Sequence, residues 1–566
     1  MKQNKENNAI HNIGFLRVLM VLFLCITGCQ NKDPQPDPEL LKIKLLRGDI
    51  ITCGGDEFGE VRFSLSCKPS VREAFDLAVS LLHSFEYDEA EKAFVKVMDA
   101  DPDCAMAYWG VAMSIYHTLW APPSEEEMKR AVRILYIAES IPKSEREQEY
   151  LDAIGLYYHD WETLNPKARA LKMEKKMEEI YTQYPDDTEA AILYALALNS
   201  TADPTDKTYA NQKKAGQILE SLFPGQPNHP GIAHYIIHTY DYPALAERAL
   251  ITARKYAEIA PASAHAQHMP SHIFIRLGLW DESIKSNQEA KSSALCYAEA
   301  AGFEGHWDEE LHCVDYLAYA YLQKGDKHKA IEQNVYLQSM QKITPVNFKV
   351  AYALAATPAR IALENRDWNS AAHLELSSIT IPWEQFPWQK SIVHFTRALG
   401  AAHLGDTLQS RKEIEILRSL HQNLLDKENL YEANQVLIQL KASQAWLNFA
   451  QGKHPEAIAL MQESADMEDN TTKHSVTPCE VLPARELLGD MLLAMHKPAM
   501  ALAAYRLDLE DHPNRFNGLY GAAIASKELG NHHEAREYFE KLMTLSGTVE
   551  STRPELLEAR ELLENM

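Results

Sequence analysis

Glycine and proline are scarce, 23 and 27 in 566 residues, too few for a turn-rich all-β protein. Beyond the N-terminal segment no stretch reaches the ~18 consecutive apolar residues of a membrane-spanning helix. There is no Cys-x-x-Cys, which removes support for a redox dithiol or zinc ribbon. There is no His-Glu-x-x-His, the signature of many zinc hydrolases, and no nucleophile elbow for Ser-His-Asp catalysis. Basic residues are in deficit, 56 Lys+Arg against 80 Asp+Glu, for a net charge of −24. Such a body repels nucleic acid and anionic lipid faces, so no nucleic-acid partner is expected, whereas cations, basic segments and neutral polymers remain. Hydrophobic content of 46% excludes wholesale disorder. The length exceeds one compact core, yet no composition break separates domains, which fits an extended repeat array.

Residues 1–28 have the layout of a secretory signal: Lys2, Lys5 and Arg17, then the apolar run Val18 to Ile26, then small residues before Cys29. The ending Ile26-Thr27-Gly28-Cys29 resembles a bacterial lipobox. The resemblance implies cleavage before Cys29 and acylation of its thiol and new amino group, each buried CH₂ adding about 0.8 kcal/mol of membrane affinity. Gln30 after Cys29 resembles the outer-membrane sorting pattern, and the acidic, Pro-containing stretch from Gln30 to Glu39 resembles the export signals of Bacteroidetes surface lipoproteins. Residues 29–50 therefore read as a tether, and the expected location is the outer membrane, lipid-anchored, on its periplasmic or cell-surface face. Six further cysteines follow. In an exported protein Cys53 with Cys67, or Cys67 with Cys104, are the near candidates for pairing.

A 34-residue period organises the rest. Ala90, Phe94 and Pro102 hold the spacing of the small residue, aromatic and terminating proline of a tetratricopeptide (TPR) helical hairpin, which places one unit at about Val71 to Cys104. In the next, Tyr108, Val111 and Ala112 put one large and two smaller residues on the first helix. Near the C-terminus Gly489, Ala501, Tyr505 and Pro513 are followed by Gly530, Ala535, Phe539 and Leu542, with Ala501 to Ala535 and Tyr505 to Phe539 both 34 apart. The middle units are looser, and the 47 residues from Gly278 to Gly325 imply insertion in a hairpin loop. The expected fold is all-α, a right-handed TPR-type α-solenoid over residues 71–545, of roughly ten to twelve hairpins. Nothing in the chain reads as a sheet, and residues 51–70 form a Cys- and Gly-containing lead-in, the one place where a short hairpin has room to sit. Residues 546–566 supply a terminal capping helix.

Eight histidines fall between His229 and His312, where the chain average of 23 in 566 would place about three. His234 and His238 occupy positions 5 and 9 of one hairpin, and His268 and His272 the same positions of the next. Asp315 and Tyr319 hold them in the third, while His265 and His312 stand at position 2. Residues four apart share a helix face, and in TPR units these positions face the concave groove. Three readings compete. His234, His238, His268 and His272 can bind a zinc or copper ion, four imidazoles giving a closed site and three plus Asp315 an open, catalytic one. Alternatively the histidines, with Tyr235, Tyr316, Tyr319 and Trp307, line a groove for a peptide or glycan. The third reading is structural, with satisfied hydrogen bonds between helices. Pro270 interrupts the pattern: if the helix instead starts at Met269 or Pro270, His265 and His268 lie in the entering loop, where chelation survives but the strict ladder does not. Weaker candidates are His83 and His117 at a shared position 13, near Trp109 and Trp120. Lys473, His474, Arg485 and Glu486 read as helix-capping ion pairs.

Several strings together resemble a large bacterial family of TPR-containing proteins: His229-Pro230-Gly231 with His234-Tyr235-Ile236-Ile237-His238, His265-Ala266-Gln267-His268-Met269-Pro270-Ser271-His272, and Pro483-Ala484-Arg485-Glu486. The resemblance covers most of Cys67 to Leu542 and implies an exported TPR superhelix, with no activity to transfer onto these residues. Cys479 departs from it, since relatives are expected to have glycine after Pro478. The leading expectation is a lipoprotein that acts by binding envelope proteins or an outer-membrane complex, as a scaffold or an accessory in polysaccharide utilisation. The alternative is a metal-binding protein or metal-dependent enzyme.

Overall fold

The computed structural model describes residues 40–565 apart from 54, 56, 120, 121, 548, 550 and 552. The signal segment, Cys29 and Trp120 lie outside the described residues. Successive helices pair into hairpins, from Arg72–His83 with Tyr87–Ala100 to Phe516–Glu528 with His532–Ser546, and Pro554–Asn565 packs on the last of them. The protein is a helical solenoid of the TPR type. The only strands among the described residues are His306–Trp307 and Ile343–Thr344, a two-residue parallel bridge.

Local sequence sets the helix starts. Ser124 and Ser144 form capping boxes with Glu127 and Glu147, each satisfying backbone N–H groups that have no intrahelical acceptor. Close approach of adjacent helices falls to small residues, Gly489 of the repeat signature among them. Tyr505 is wedged between Gly489 and Gly521, where an added Cβ would lie 2.7 and 2.3 Å from its ring. The 47-residue spacing does not reside in a hairpin loop. It goes largely into the long helix Trp280–Ala300 and the connection that carries the bridge strand.

Three features close the superhelix on itself. First, the described residues of the lead-in form no β-hairpin, because their polar groups bond outward to other elements rather than to each other. It buries Phe58, Val61 and Phe63, with Leu40 and Ile43 buried ahead of it, Ser66 bonded to Glu147, Glu60 N donating to the Asn228 carbonyl and Ala262 N to the Glu57 carbonyl. Packed chain thus begins by Leu40, inside the stretch expected to be tether. Second, disulfides join Cys67 to Cys104, one of the expected pairs, and Cys53 to Cys296, a partner 243 residues away that no near-neighbour argument offers. Cys313 and Cys479 are buried thiols.

Third, a strap from Thr471 to Pro483 crosses the interior. Lys473 donates to Asp241 (2.7 Å), Tyr316 to the Val476 carbonyl (3.0 Å), and Tyr352 and Arg360 to the Cys479 carbonyl. His474 stacks on Phe348. The expected capping role holds for Arg485, which pairs with Asp466 and Asp469 at the end of His454–Asp469. It does not hold for Lys473, or for Glu486, which joins Glu364 in binding the fully buried Arg515. These long-range ion pairs tie distant turns together. The inner wall is consequently an interior, and His234 and His238 are only 0% and 7% exposed.

Candidate metal centre

The histidines lie on four short runs of backbone. His229 caps Pro230–Tyr240, its Nδ1 accepting from Ile232 N, and Pro230 supplies the first residue, where no backbone donor is missed. That helix presents His234 and His238. Ser263 caps Ala264–His268 by accepting from Ala266 N, and its hydroxyl donates to Glu86 (2.6 Å). Pro270 ends this piece and opens the next, Pro270–Arg276, but Met269 keeps right-handed helical dihedrals between them. His265 and His268 are therefore helical rather than in an entering loop, and the break re-aims them relative to His272. His312 comes from Asp308–Gln323.

The break regroups the set of four. His234, His238 and His265 form one triad, and His268, His272 and His312 another, the candidate ligand nitrogens of each lying within 4.8 Å of one another. A metal holding nitrogens at 2.0–2.1 Å in tetrahedral directions separates them by about 3.3 Å, so shifts of an ångström or so at the widest pair would complete a site. Asp315 is not among them. It forms an ion pair with Arg360 in a neighbouring turn, and burial, which the Arg360 charge only partly offsets, raises its carboxyl to about 6. Tyr319 likewise points away, accepting from Arg515 and meeting Trp280 edge-on. Trp307 stacks near Tyr297.

The hydrogen bonds fix ring tautomers. His234 Nδ1 donates to the His83 carbonyl (2.6 Å), His268 Nδ1 to Asn287 Oδ1 (2.7 Å) and His272 Nδ1 to Asp241 Oδ2 (3.0 Å). Asn287 cannot be reversed, because its amide nitrogen donates to the Ser283 carbonyl. Each ring therefore turns a bare Nε2 lone pair inward. His268 Nε2 and His272 Nε2 stand 3.1 Å apart, and the Tyr316 hydroxyl 3.3 Å from His272 Nε2 donates instead to Val476. In the other triad His234 Nε2 is 3.2 Å from His265 Nε2, and His238 Nε2 is buried with no hydrogen-bond partner.

Burial pushes the pKa of His234 down to about 3, and those of His238, His265, His268 and His312 well below the usual histidine range. For His272 burial also prevails over Asp241. The rings are neutral at physiological pH, the form that binds metal.

A third cluster, His83, Glu189 and His229, was not legible as a unit. His83 Nε2 and His229 Nε2 donate to the two Glu189 oxygens (2.9 and 2.8 Å), and His83 Nδ1 accepts from the Tyr235 hydroxyl (2.9 Å). Every ring nitrogen is satisfied, so the structural reading describes this cluster. It also orders the metal candidates, since the carbonyl of the same His83 fixes His234. Gly231 permits the contact: a Cβ there would sit 2.5 Å from His83 Nδ1. His117 packs against Tyr87, and Trp109 lies in an aromatic seam with Phe63, Phe94 and Tyr150.

Fold and site together define a TPR-type solenoid that encloses histidine clusters. The family model Tetratricopeptide repeat matches residues 517–548. No curated protein matches the chain. Among solved structures, human IFIT1 dimer with m7Gppp-AAAA is 14% identical, covering 86% of this chain and 96% of that one, with a TM-score of 0.34. Human IFIT1 dimer with PPP-AAAA is 13% identical over 82% and 95%, with a TM-score of 0.37. Likeness at that level carries no functional argument. Among the described residues no helix is long and apolar enough to cross a membrane.

Proposed function

We propose that this is a lipid-anchored envelope protein whose TPR solenoid encloses a histidine-ligated transition-metal centre of zinc or copper. One observation carries the metal: His268 and His272 aim bare lone pairs at each other across 3.1 Å, with both Nδ1 protons committed elsewhere. Two acceptors at that distance repel unless a cation lies between them, and His312 completes three donors. The filled interior argues against a peptide or glycan lying over these histidines, so scaffold contacts with envelope proteins belong to the outer surface of the solenoid. The anchor reading rests on the Ile26-Thr27-Gly28-Cys29 string, and two disulfides suit an oxidising compartment.

Elemental analysis of protein purified without affinity tags or chelators tests the metal. Stoichiometric metal that is lost in a His268→Ala/His272→Ala variant is expected, and an empty protein after zinc and copper loading would refute the reading. For the anchor, Cys29→Ser protein is expected in the soluble fraction. Continued membrane association would rule out acylation as the tether.

A further inference from the structure

Closure of the array leaves a cavity of 120 Å³ that no triad histidine lines. Earlier turns contribute Lys207, Tyr209, Tyr242 and Arg276 to it, later turns Glu468, Glu480, Asp511 and His512, and the strap adds Thr471 to Lys473. Several of these charges are committed. Arg485 pairs with Asp466 and Asp469, His512 with Glu480 and Asp508, and Lys473 and Arg276 share Asp241. Four groups keep binding capacity. Among the described residues the side chains of Lys207 and Asp511 make no hydrogen bond or ion pair. Arg276, only 6% exposed, gives Nε and Nη2 to Asp241 and keeps Nη1 without an acceptor. Glu468 accepts from Ala484 N but pairs with no cation among the described residues, and burial, then the charge of Glu480, push its carboxyl well above the ordinary range.

Unpaired charge in a buried wall is unfavourable until a ligand completes it. An anion alone would satisfy Lys207 and Arg276 and face two unpaired acids, and a cation alone would do the reverse. A molecule carrying both charges a few bonds apart satisfies both. A cavity of about 150 Å³ holds benzene, so this one admits a ligand of about alanine's size. Tyr209 and Tyr242, ring centroids 5.0 Å apart, offer an aromatic surface for a short aliphatic side chain. We propose that this cavity binds a free α-amino acid with a small side chain, its carboxylate on Arg276 and Lys207 and its ammonium on Glu468 and Asp511.

Equilibrium dialysis of the full, disulfide-bonded chain against labelled glycine, L-alanine and L-serine tests it. At least one of the three is expected to bind, with one site per chain. Propionate lacks the ammonium and ethylamine lacks the carboxylate, and both are smaller than alanine, so size excludes neither. Each should compete at least about tenfold less well than the amino acid, the loss of one charge-assisted contact. Lys207→Met and Asp511→Asn, changes at side chains without partners, should each weaken amino-acid binding by about tenfold with Tm unchanged. Retention of none of the three at millimolar concentration would overturn the proposal. So would propionate or ethylamine competing as well as the amino acid, which would make the cavity a site for one charge alone, or full affinity in both variants, which would put the ligand elsewhere.

Discussion

At the scale of the residue, second partners decide what each histidine does. His83 and His229 are donors to Glu189 and complete, whereas His234, His268 and His272 spend their Nδ1 protons on a carbonyl, an amide and a carboxylate and keep Nε2 bare. Asn287→Leu keeps the volume at His268 but removes the acceptor that sets its tautomer. Metal affinity is expected to fall by about ten- to a hundredfold with unchanged helix content, as for other outer-shell losses, measured by competition with a chromophoric chelator.

A separate residue cluster should govern pH dependence. His512 bonds to both Glu480 and Asp508. For Glu480, burial would raise the carboxyl, but the hydrogen bond and charge of His512 prevail and hold it at about 2. For His512, burial would lower the ring, and Asp508 and Glu480 instead hold it well above 6.5. The Glu480 contribution to stability is complete above its ordinary value of 4.5 and is lost as pH falls from there towards 2. That of His512 is complete below 6.5 and is lost as pH rises through its elevated folded value. The Tm deficit of His512→Gln should therefore be largest between pH 4.5 and 6.5 and shrink on either side. A deficit independent of pH would show that the pair is not ionised as described.

At the scale of the element, the repeat signature was legible because it reports contact between adjacent helices. Tyr505 needs Gly489, which stands at its place in the period, and Gly521, which the 34-residue pattern does not mark. Gly521→Ala should destabilise the protein by about 1–3 kcal/mol through overpacking, read by chemical denaturation, with hydrogen exchange rising first in Ala484–Ala494 and Phe516–Glu528. No change in stability would mean that Tyr505 relaxes freely. The site was legible only in part. A 34-residue period put His234 with His268 and His238 with His272 in matching phases, but period alone cannot say how Pro270 turns a helix. That turn gives the actual partners, His265 and His312, and leaves Asp315 to Arg360. Glu189, on an earlier hairpin, carried no signal that would link it to His83 and His229, because nothing local records a contact across 106 residues.

At the scale of the whole molecule, the array is closed. An open solenoid would expose its inner wall, whereas here the lead-in, the strap and ion pairs such as Lys473 with Asp241 seal it. Those contacts join residues hundreds of positions apart, which is why the sequence suggested a groove and the structure holds an interior. The Cys53–Cys296 disulfide fastens the lead-in to Trp280–Ala300. A Cys53→Ser/Cys296→Ser protein should lose as much as about 5 kcal/mol by the loop-closure argument, seen as a lowered Tm under non-reducing conditions. An unchanged Tm would mean that packing of Phe58, Val61 and Phe63 alone holds the lead-in.

The central claim is that this sealed interior holds metal on imidazole nitrogen. X-ray absorption at the metal edge of natively purified protein tests it most directly. The account predicts a first shell of about three nitrogens at about 2.0–2.1 Å per metal, with the multiple scattering of imidazole rings. A shell of carboxylate or water oxygens, or no bound metal, would contradict it.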